Sequence, residues 1–205
     1  MSSRRNLRLA DIDARSRTHR HVTFTDPLFN YDIVVGNIGN DRILGNLGDD
    51  FLLGGRDNDV IEGGDGNDFV TGNIGNDLVY GNAGNDIVRG GQDSDSLFGG
   101  DGDDQLSGDF GKDFLTGEAG NDLFILRSNT AAPSVPEADI IADFTAGQDV
   151  IALTNGLTFA GIALDASGSD TAIREVATGQ ILGVVAGISP AALSAGNFAT
   201  LPGDF

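Results

Sequence analysis

The chain has 205 residues, enough for one domain with appendages, and 40% of them are apolar. It has no cysteine, which excludes a disulfide framework and a thiolate metal site, and its two histidines, His19 and His21, leave little for a zinc or copper centre. The formal net charge of -19 makes nucleic acid an unfavourable partner for the body of the protein, whereas hard cations are favourable ones.

Residues 1–30 differ from the rest because they hold six of the twelve basic residues: Arg4, Arg5, Arg8, Arg15, Arg17 and Arg20. This composition predicts a flexible basic arm, and the alternative is an arm that lies on the acidic remainder of the chain. The arm contains no apolar run that would serve as a secretory signal, and no stretch of the chain is long enough to span a membrane. The first strand is expected at Tyr31–Val35.

Ten nine-residue repeats follow without insertion from Gly36 to Ile125. Position one is Gly, position six is Asp and position eight is apolar in all ten, and position four is Gly in all but two, which carry Asp57 and Asp93. The repeats hold 19 acidic residues against four basic ones. Such strict periodicity is typical of a solenoid, in which each repeat contacts only its neighbours.

The repeat predicts a turn at positions one to five, where glycines supply positive φ, and a short strand at positions six to nine. Two repeats then form one coil of 18 residues, and strands from alternate repeats stack into two facing parallel sheets. We therefore predict an all-β parallel solenoid over residues 31–127.

The aspartates at position six form the candidate metal site. Because strand residues alternate faces, position six points inward together with the apolar position eight, and each edge of the solenoid carries a ladder of five inward carboxylates. At a spacing of roughly 4.8 Å such carboxylates repel one another, so the fold requires a cation between them. Ca²⁺ accepts about six to eight carboxylate and carbonyl oxygens, whereas Mg²⁺ demands a stricter octahedron.

The repeats resemble the RTX, or haemolysin-type, nonapeptide GGxGxDxUx. This resemblance implies a right-handed parallel β-roll in which each Ca²⁺ is shared by repeats n and n+2. It pairs the aspartates along two edges: Asp41, Asp59, Asp77, Asp95 and Asp113 on one, and Asp50, Asp68, Asp86, Asp104 and Asp122 on the other. Four gaps per edge give up to eight sites. Backbone carbonyls of the turns complete the ligand set, among them those of Gly39, Gly48, Gly66, Gly75, Gly84 and Gly102.

Residues 128–205 are expected to form a small β-rich cap. Strands are predicted at Asp139–Phe144 and Gln148–Leu153, a hairpin at Ala172–Glu175 and Gln180–Val185, and one short helix from Ser189-Pro190 to about Ser194. The sequence DIIADFTAGQDVIAL also resembles the segment that follows RTX repeats. In that family the C-terminus carries a type I secretion signal, which implies export to the cell exterior or surface.

These features predict a secreted, non-enzymatic, calcium-binding protein whose folding is coupled to Ca²⁺. A calcium-dependent secretion and folding module of an enzyme is the first alternative, although the chain has no HExxH or GxSxG motif. A calcium-dependent surface adhesin or matrix protein is the second. It would self-associate through an exposed stripe of Phe51, Phe69 and Ile87 at position seven.

Overall fold

The computed structural model describes residues 8–11, 20–23 and 31–202. These residues form two sheets that face each other across one hydrophobic core. The strands alternate between the sheets in chain order as far as β15, so each coil contributes one strand to each sheet. The predicted parallel solenoid of 18-residue coils is therefore confirmed. The described part of the chain has no helix long and apolar enough to cross a membrane.

One sheet has nine strands. In spatial order they are β1 (Arg8–Asp11), β3 (Asp32–Ile38), β5 (Phe51–Arg56), β7 (Phe69–Ile74), β9 (Ile87–Gln92), β11 (Gln105–Phe110), β13 (Leu123–Leu126), β15 (Val150–Leu153) and β19 (Phe198–Thr200). We call it the first sheet. All of its strand pairs are parallel.

The second sheet has ten strands. In spatial order they are β2 (Arg20–Thr23), β4 (Asp41–Leu47), β6 (Val60–Asp65), β8 (Leu78–Ala83), β10 (Ser96–Asp101), β12 (Phe114–Ala119), β14 (Ile140–Ile141), β18 (Ile181–Val185), β17 (Asp170–Glu175) and β16 (Ile162–Ser167). Its pairs are parallel except at β16, β17 and β18, which form an antiparallel meander.

The register places each residue of a repeat beside its equivalent 18 residues later, as in Phe51 beside Phe69 and Ile87. Position eight is fully buried in every repeat and forms the central column of the core. Position six is buried as well, whereas positions seven and nine are mostly half-buried or exposed. The inward direction of position six, inferred from the alternation of strand residues, is therefore confirmed.

The boundaries of strand and turn within the repeat differ from the prediction. The strands from β5 to β12 begin at position seven and continue through positions one to three of the next repeat, so that only positions four to six form the turn, and β4 begins one residue earlier, at Asp41. Positive φ occurs at positions two and four, as in Asn73 (78°) and Gly75 (135°). The position-one glycine has no such angle, so the expectation that it supplies positive φ was wrong.

Position one is glycine because no side chain fits there. A Cβ atom added to Gly54 would lie 2.5 Å from Oδ2 of Asp59, 2.7 Å from the carbonyl oxygen of Gly72 and 2.9 Å from Cδ1 of Ile61. The glycine thus faces inward beside the carboxylate of its own repeat and beneath the next coil. The invariant Gly and the invariant Asp of the repeat occupy one tightly packed interior corner.

The C-terminal segment continues the two sheets instead of starting a separate unit. Strands β14 and β15 stack on β12 and β13, and Phe144 packs against Phe124 with a ring-centroid distance of 6.2 Å. The hairpin of β17 and β18 matches the predicted one, whereas β16 was not predicted. In place of the expected short helix there is a 3-10 turn, Pro190–Ala192, whose N-terminus has no side-chain hydrogen bond from Ser189.

Two segments of the basic arm lie within the described residues, and both are strands. Their register places Arg8 beside Asp32 and Arg20 beside Asp41. The expected first strand at Tyr31–Val35 corresponds to β3 and therefore has a further strand, β1, outside it. The rest of residues 1–30, on which the prediction of a flexible arm mainly depends, lies outside the described residues.

The packing at position one leads to a first prediction. Gly54→Ala is expected to lower the free energy of unfolding in calcium by about 1–3 kcal/mol, because the new methyl group overlaps a carboxylate oxygen and a backbone carbonyl. Chemical denaturation followed by circular dichroism measures this change. Gly196→Ala is the matched control, since its nearest neighbour is 3.7 Å away, and we expect a change below about 0.5 kcal/mol. Equal effects would contradict the explanation.

Candidate metal centre

The aspartates at position six form two continuous hydrogen-bonded ladders. The backbone N–H of each Asp donates to Oδ1 of the Asp in the next coil, as from Asp59 to Asp77 at 2.7 Å and from Asp77 to Asp95 at 2.8 Å. The same contact recurs on the other edge, as from Asp68 to Asp86. The predicted grouping of the ten aspartates into two edges therefore agrees with the positions of these side chains.

The second carboxylate oxygen of these residues has no such donor. In eight consecutive aspartates Oδ2 is buried and has no hydrogen-bond partner: Asp50, Asp59, Asp68, Asp77, Asp86, Asp95, Asp104 and Asp113. Burial of an acceptor without a donor costs free energy, and more so when the acceptor is charged. A bound cation that accepts oxygen ligands removes this cost, so the arrangement fits Ca²⁺.

Backbone carbonyls must supply the rest of the ligands. Among the described residues, no three His, Cys, Asp or Glu side chains converge on one point, so side chains alone do not complete a metal site. Carbonyl oxygens do reach the same corner, since the carbonyl of Gly72 and Oδ2 of Asp59 both lie next to Gly54. Mixed carboxylate and carbonyl coordination is typical of Ca²⁺. The carbonyl ligands expected at the position-four glycines stay a prediction.

Burial also changes the acidity of the ladder. Desolvation raises the pKa of Asp59 and Asp95 from 3.8 to about 8, although the backbone N–H that each accepts acts in the opposite direction. Neighbouring carboxylates raise the pKa further, as Asp77 does for Asp59. The same causes raise the pKa of Asp68 and Asp104 to about 7. Without a cation, burial therefore shifts the protonation of these four carboxyl groups toward the neutral form.

The ladders extend beyond the ten repeats, which the sequence analysis missed. At the N-terminal end the N–H of Asp32 donates to Oδ1 of Asp50 at 2.6 Å. At the C-terminal end the N–H groups of Asp113 and Asp122 donate to Asp139 and Asp149. Asp32 keeps the nine-residue phase, so its position in the sequence was a usable signal. Asp149 lies 27 residues from Asp122, which is three periods of nine, so it also keeps the phase, whereas Asp139 lies 26 residues from Asp113 and is out of phase.

A different ladder of hydrogen bonds, separate from the two Asp ladders, runs through position five on the exposed side of the turns. Here the N–H of the later residue donates to the side chain of the earlier one, as from Asn76 to Asn58 and from Asn85 to Asn67. The direction is opposite to that of the Asp ladder. Position five is Asn, Asp or Ser in nine of the ten repeats, and Lys112 is the exception. These side chains hold consecutive turns together from outside.

The two aspartates at position four have positive φ, as the glycines at this position do. Asp57 and Asp93 have φ of 77° and 76°, an angle that non-glycine residues adopt at some cost. Asp57 also accepts the N–H of Gly39 at 3.1 Å. Both exceptions therefore fit within the turn, and one of them ties consecutive coils together.

The apolar stripe at position seven lies on the outer face of the first sheet. The rings of Phe51 and Phe69 stack with a centroid distance of 4.7 Å, and Ile87 is 37% exposed. Beside them Arg89 and Arg127 converge on Asp109, at 2.6 Å and 3.3 Å. The two phenylalanines, the two arginines and Asp109 border a cavity of about 560 Å³. Self-association through this stripe stays a prediction.

Comparisons with known proteins agree with this geometry. A family model described as the RTX calcium-binding nonapeptide repeat (4 copies) matches residues 32–61, 62–97 and 89–124. The matched region begins at Asp32 and confirms the resemblance of the repeats. Comparison with curated proteins gives no match.

Two solved structures from Azotobacter vinelandii are similar to the chain. One is the AlgE6R2 subunit of a mannuronan C5-epimerase, at 25% identity and a TM-score of 0.43, covering 82% of this chain and 91% of that chain. The other is the AlgE6R3 subunit, at 26% identity and a TM-score of 0.37, covering 80% of this chain and 82% of that chain.

The raised pKa values predict how the calcium-free protein responds to pH. The folded chain binds more protons than the unfolded chain between the unfolded pKa of 3.8 and the folded pKa of about 8, as for Asp59. The free energy of unfolding therefore falls as pH rises through this window. In calcium-depleted buffer, circular dichroism should therefore show a larger folded fraction at about pH 5 than at about pH 8. Excess calcium should weaken or reverse this trend, and an unchanged trend would contradict the assignment.

Proposed function

Because a model of the RTX calcium-binding nonapeptide repeat matches residues 32–124, we propose that this chain is an exported protein that folds around Ca²⁺ and has no catalytic role of its own. The single observation that carries the proposal is the row of eight buried Oδ2 atoms without hydrogen-bond partners. The repeats of this family bind Ca²⁺, and the chain presents the carboxylates that such binding requires.

The proposed ligands are the position-six aspartates and the turn carbonyls between successive coils. Bound Ca²⁺ supplies positive charge at the two ladders and offsets the repulsion between their carboxylates. The protein's own contribution is to fix each carboxylate, since the N–H of the preceding Asp holds Oδ1 and leaves Oδ2 for the cation. Metal binding free energy is then also folding free energy.

Export fits this dependence on calcium. Calcium is scarce in cytosol and abundant outside cells, so a chain that closes only around Ca²⁺ remains unfolded before export and folds afterwards. The resemblance of DIIADFTAGQDVIAL to the segment after RTX repeats supports type I secretion. The absence of cysteine agrees with this route, since no disulfide is needed to complete the fold.

A non-catalytic role is supported by the way in which the buried acids are used. Every position-six carboxylate belongs to a repeated structural contact, and none is paired with a histidine or cysteine in the described repeats. The alternative, a calcium-dependent module of a larger enzyme, would use the same carboxylates in the same way. Its catalytic residues would have to lie in another polypeptide segment.

The coupling of calcium to folding gives the central test. Circular dichroism of the purified chain is expected to show β structure at millimolar calcium and a largely unfolded spectrum after exhaustive chelation near neutral pH. Addition of calcium should restore the β spectrum, whereas the same concentration of magnesium should restore less. A chain that remains fully folded after chelation would contradict the proposal.

The role of single carboxylates is tested by Asp77→Asn. The amide oxygen still accepts the N–H of Asp59, but the charge is lost between two coils. We expect fewer bound calcium ions by native mass spectrometry. We also expect the calcium concentration at which half of the chains are folded to be about tenfold higher. Asp101→Asn is the matched control, because Asp101 is exposed at position three, and it should retain the wild-type count. Equal losses in both variants would argue against an interior site.

A further inference from the structure

The Asp ladder that begins at Asp41 ends in a hydrogen bond that differs from every such bond within the repeats. There the N–H of Asp113 donates to Oδ1 of Asp139 at 3.0 Å, although the two residues are 26 positions apart instead of 18. Asp113 is 1% exposed and Asp139 is 8% exposed. The chain therefore makes a detour of eight extra residues and still brings an aspartate into the buried position that a further repeat would have filled.

The two carboxyl groups meet without a donor between them. Oδ2 of Asp113 is buried and has no hydrogen-bond partner. The carboxyl groups are close enough to share a hydrogen bond, and burial together with their mutual repulsion raises the pKa of Asp139 to about 8. Arg89 and Arg127 form ion pairs with the nearby Asp109, so their charges are directed at Asp109 and not at the pair of Asp113 and Asp139. The pair requires either a shared proton or a cation.

The equivalent end of the other ladder is satisfied by the protein itself. Asp149 accepts the N–H of Asp122 with Oδ1 at 3.1 Å and the N–H of Thr145 with Oδ2 at 2.6 Å. Both oxygens of that carboxylate therefore have backbone donors. Asp122, the counterpart of Asp113 at this end, is not among the aspartates whose buried Oδ2 has no hydrogen-bond partner, so the unpaired oxygen of Asp113 is not a general consequence of ending the roll.

We propose that Asp113 and Asp139 hold a calcium ion outside the repeats, and that this ion fastens the C-terminal segment to the roll. The inference rests on the proposed function, since it assumes that the ladders bind calcium. Two carboxylates do not complete the coordination, so backbone carbonyls or water supply the remaining oxygens.

The position of the ion gives it a structural consequence. Strand β14 begins at Ile140, whose N–H donates to the carbonyl of Asp113 at 2.8 Å, and it has only two residues. The same short strand pairs with β18 and so joins the antiparallel meander to the second sheet. A cation bound to Asp139 fixes the residue that immediately precedes the two-residue strand β14. Loss of this cation is expected to increase the mobility of β16, β17 and β18 first.

The test compares Asp139→Asn with the wild-type chain by native mass spectrometry in calcium. The amide oxygen still accepts the N–H of Asp113, so we expect a folded protein with one calcium ion fewer. We also expect faster hydrogen exchange at the amides of Ile140 and Val184. Asp143→Asn is the control, since its carboxylate lies in the same segment but accepts N–H groups from Gly117 and Glu118. This control should keep the full count.

The outcomes separate this inference from the proposed function. A folded Asp139→Asn chain with the wild-type calcium count would show that the pair shares a proton, and would overturn the inference alone. If Asp139→Asn does not fold, Asp139→Glu decides: recovery of the fold and of the full count supports the site, and failure of both variants overturns it. A wild-type chain that binds no calcium at all would instead overturn the proposed function.

Discussion

The whole roll depends on one contact, the hydrogen bond from the backbone N–H of an aspartate to Oδ1 of the aspartate one coil later. It recurs along both edges at 2.6–3.1 Å from Asp32 to Asp149. This bond fixes each carboxylate inside the solenoid with one oxygen satisfied and the other turned into the interior. Because carboxylates accept hydrogen bonds and cannot donate them when ionised, the second oxygen needs a proton or a cation. The need for a proton or a cation thus follows from the same contact that links successive coils.

The other invariant features of the repeat accommodate that carboxylate. Glycine at position one makes room for Oδ2, and the backbone takes positive φ at position two, near the end of the strand, and at position four, in the turn. The apolar residue at position eight is fully buried and fills the space between the sheets. The asparagines at position five then satisfy the exposed side of the turns. Each invariant position therefore has a distinct physical cause.

The ends of such a solenoid must be covered, because the last coil would otherwise expose unpaired strand edges. Here the C-terminal segment continues both sheets through β14 and β15 and closes with an antiparallel meander. The core column continues through Ile141 and Ile151 into this region. The ladders continue as well, into Asp139 and Asp149, so the cap is joined to the roll by the same contact that joins the coils to one another.

The sequence by itself determined the coil length, the two facing sheets, the buried column and the inward aspartates, because strict nine-residue periodicity leaves one parallel arrangement that buries position eight. Tertiary structure decided what periodicity does not encode. The strands extend through the glycines because pairing with the next coil continues there, and position one is glycine for space and not for backbone angle. Asp139 joins its ladder across 26 residues because packing of the cap, and not chain spacing, brings it beside Asp113.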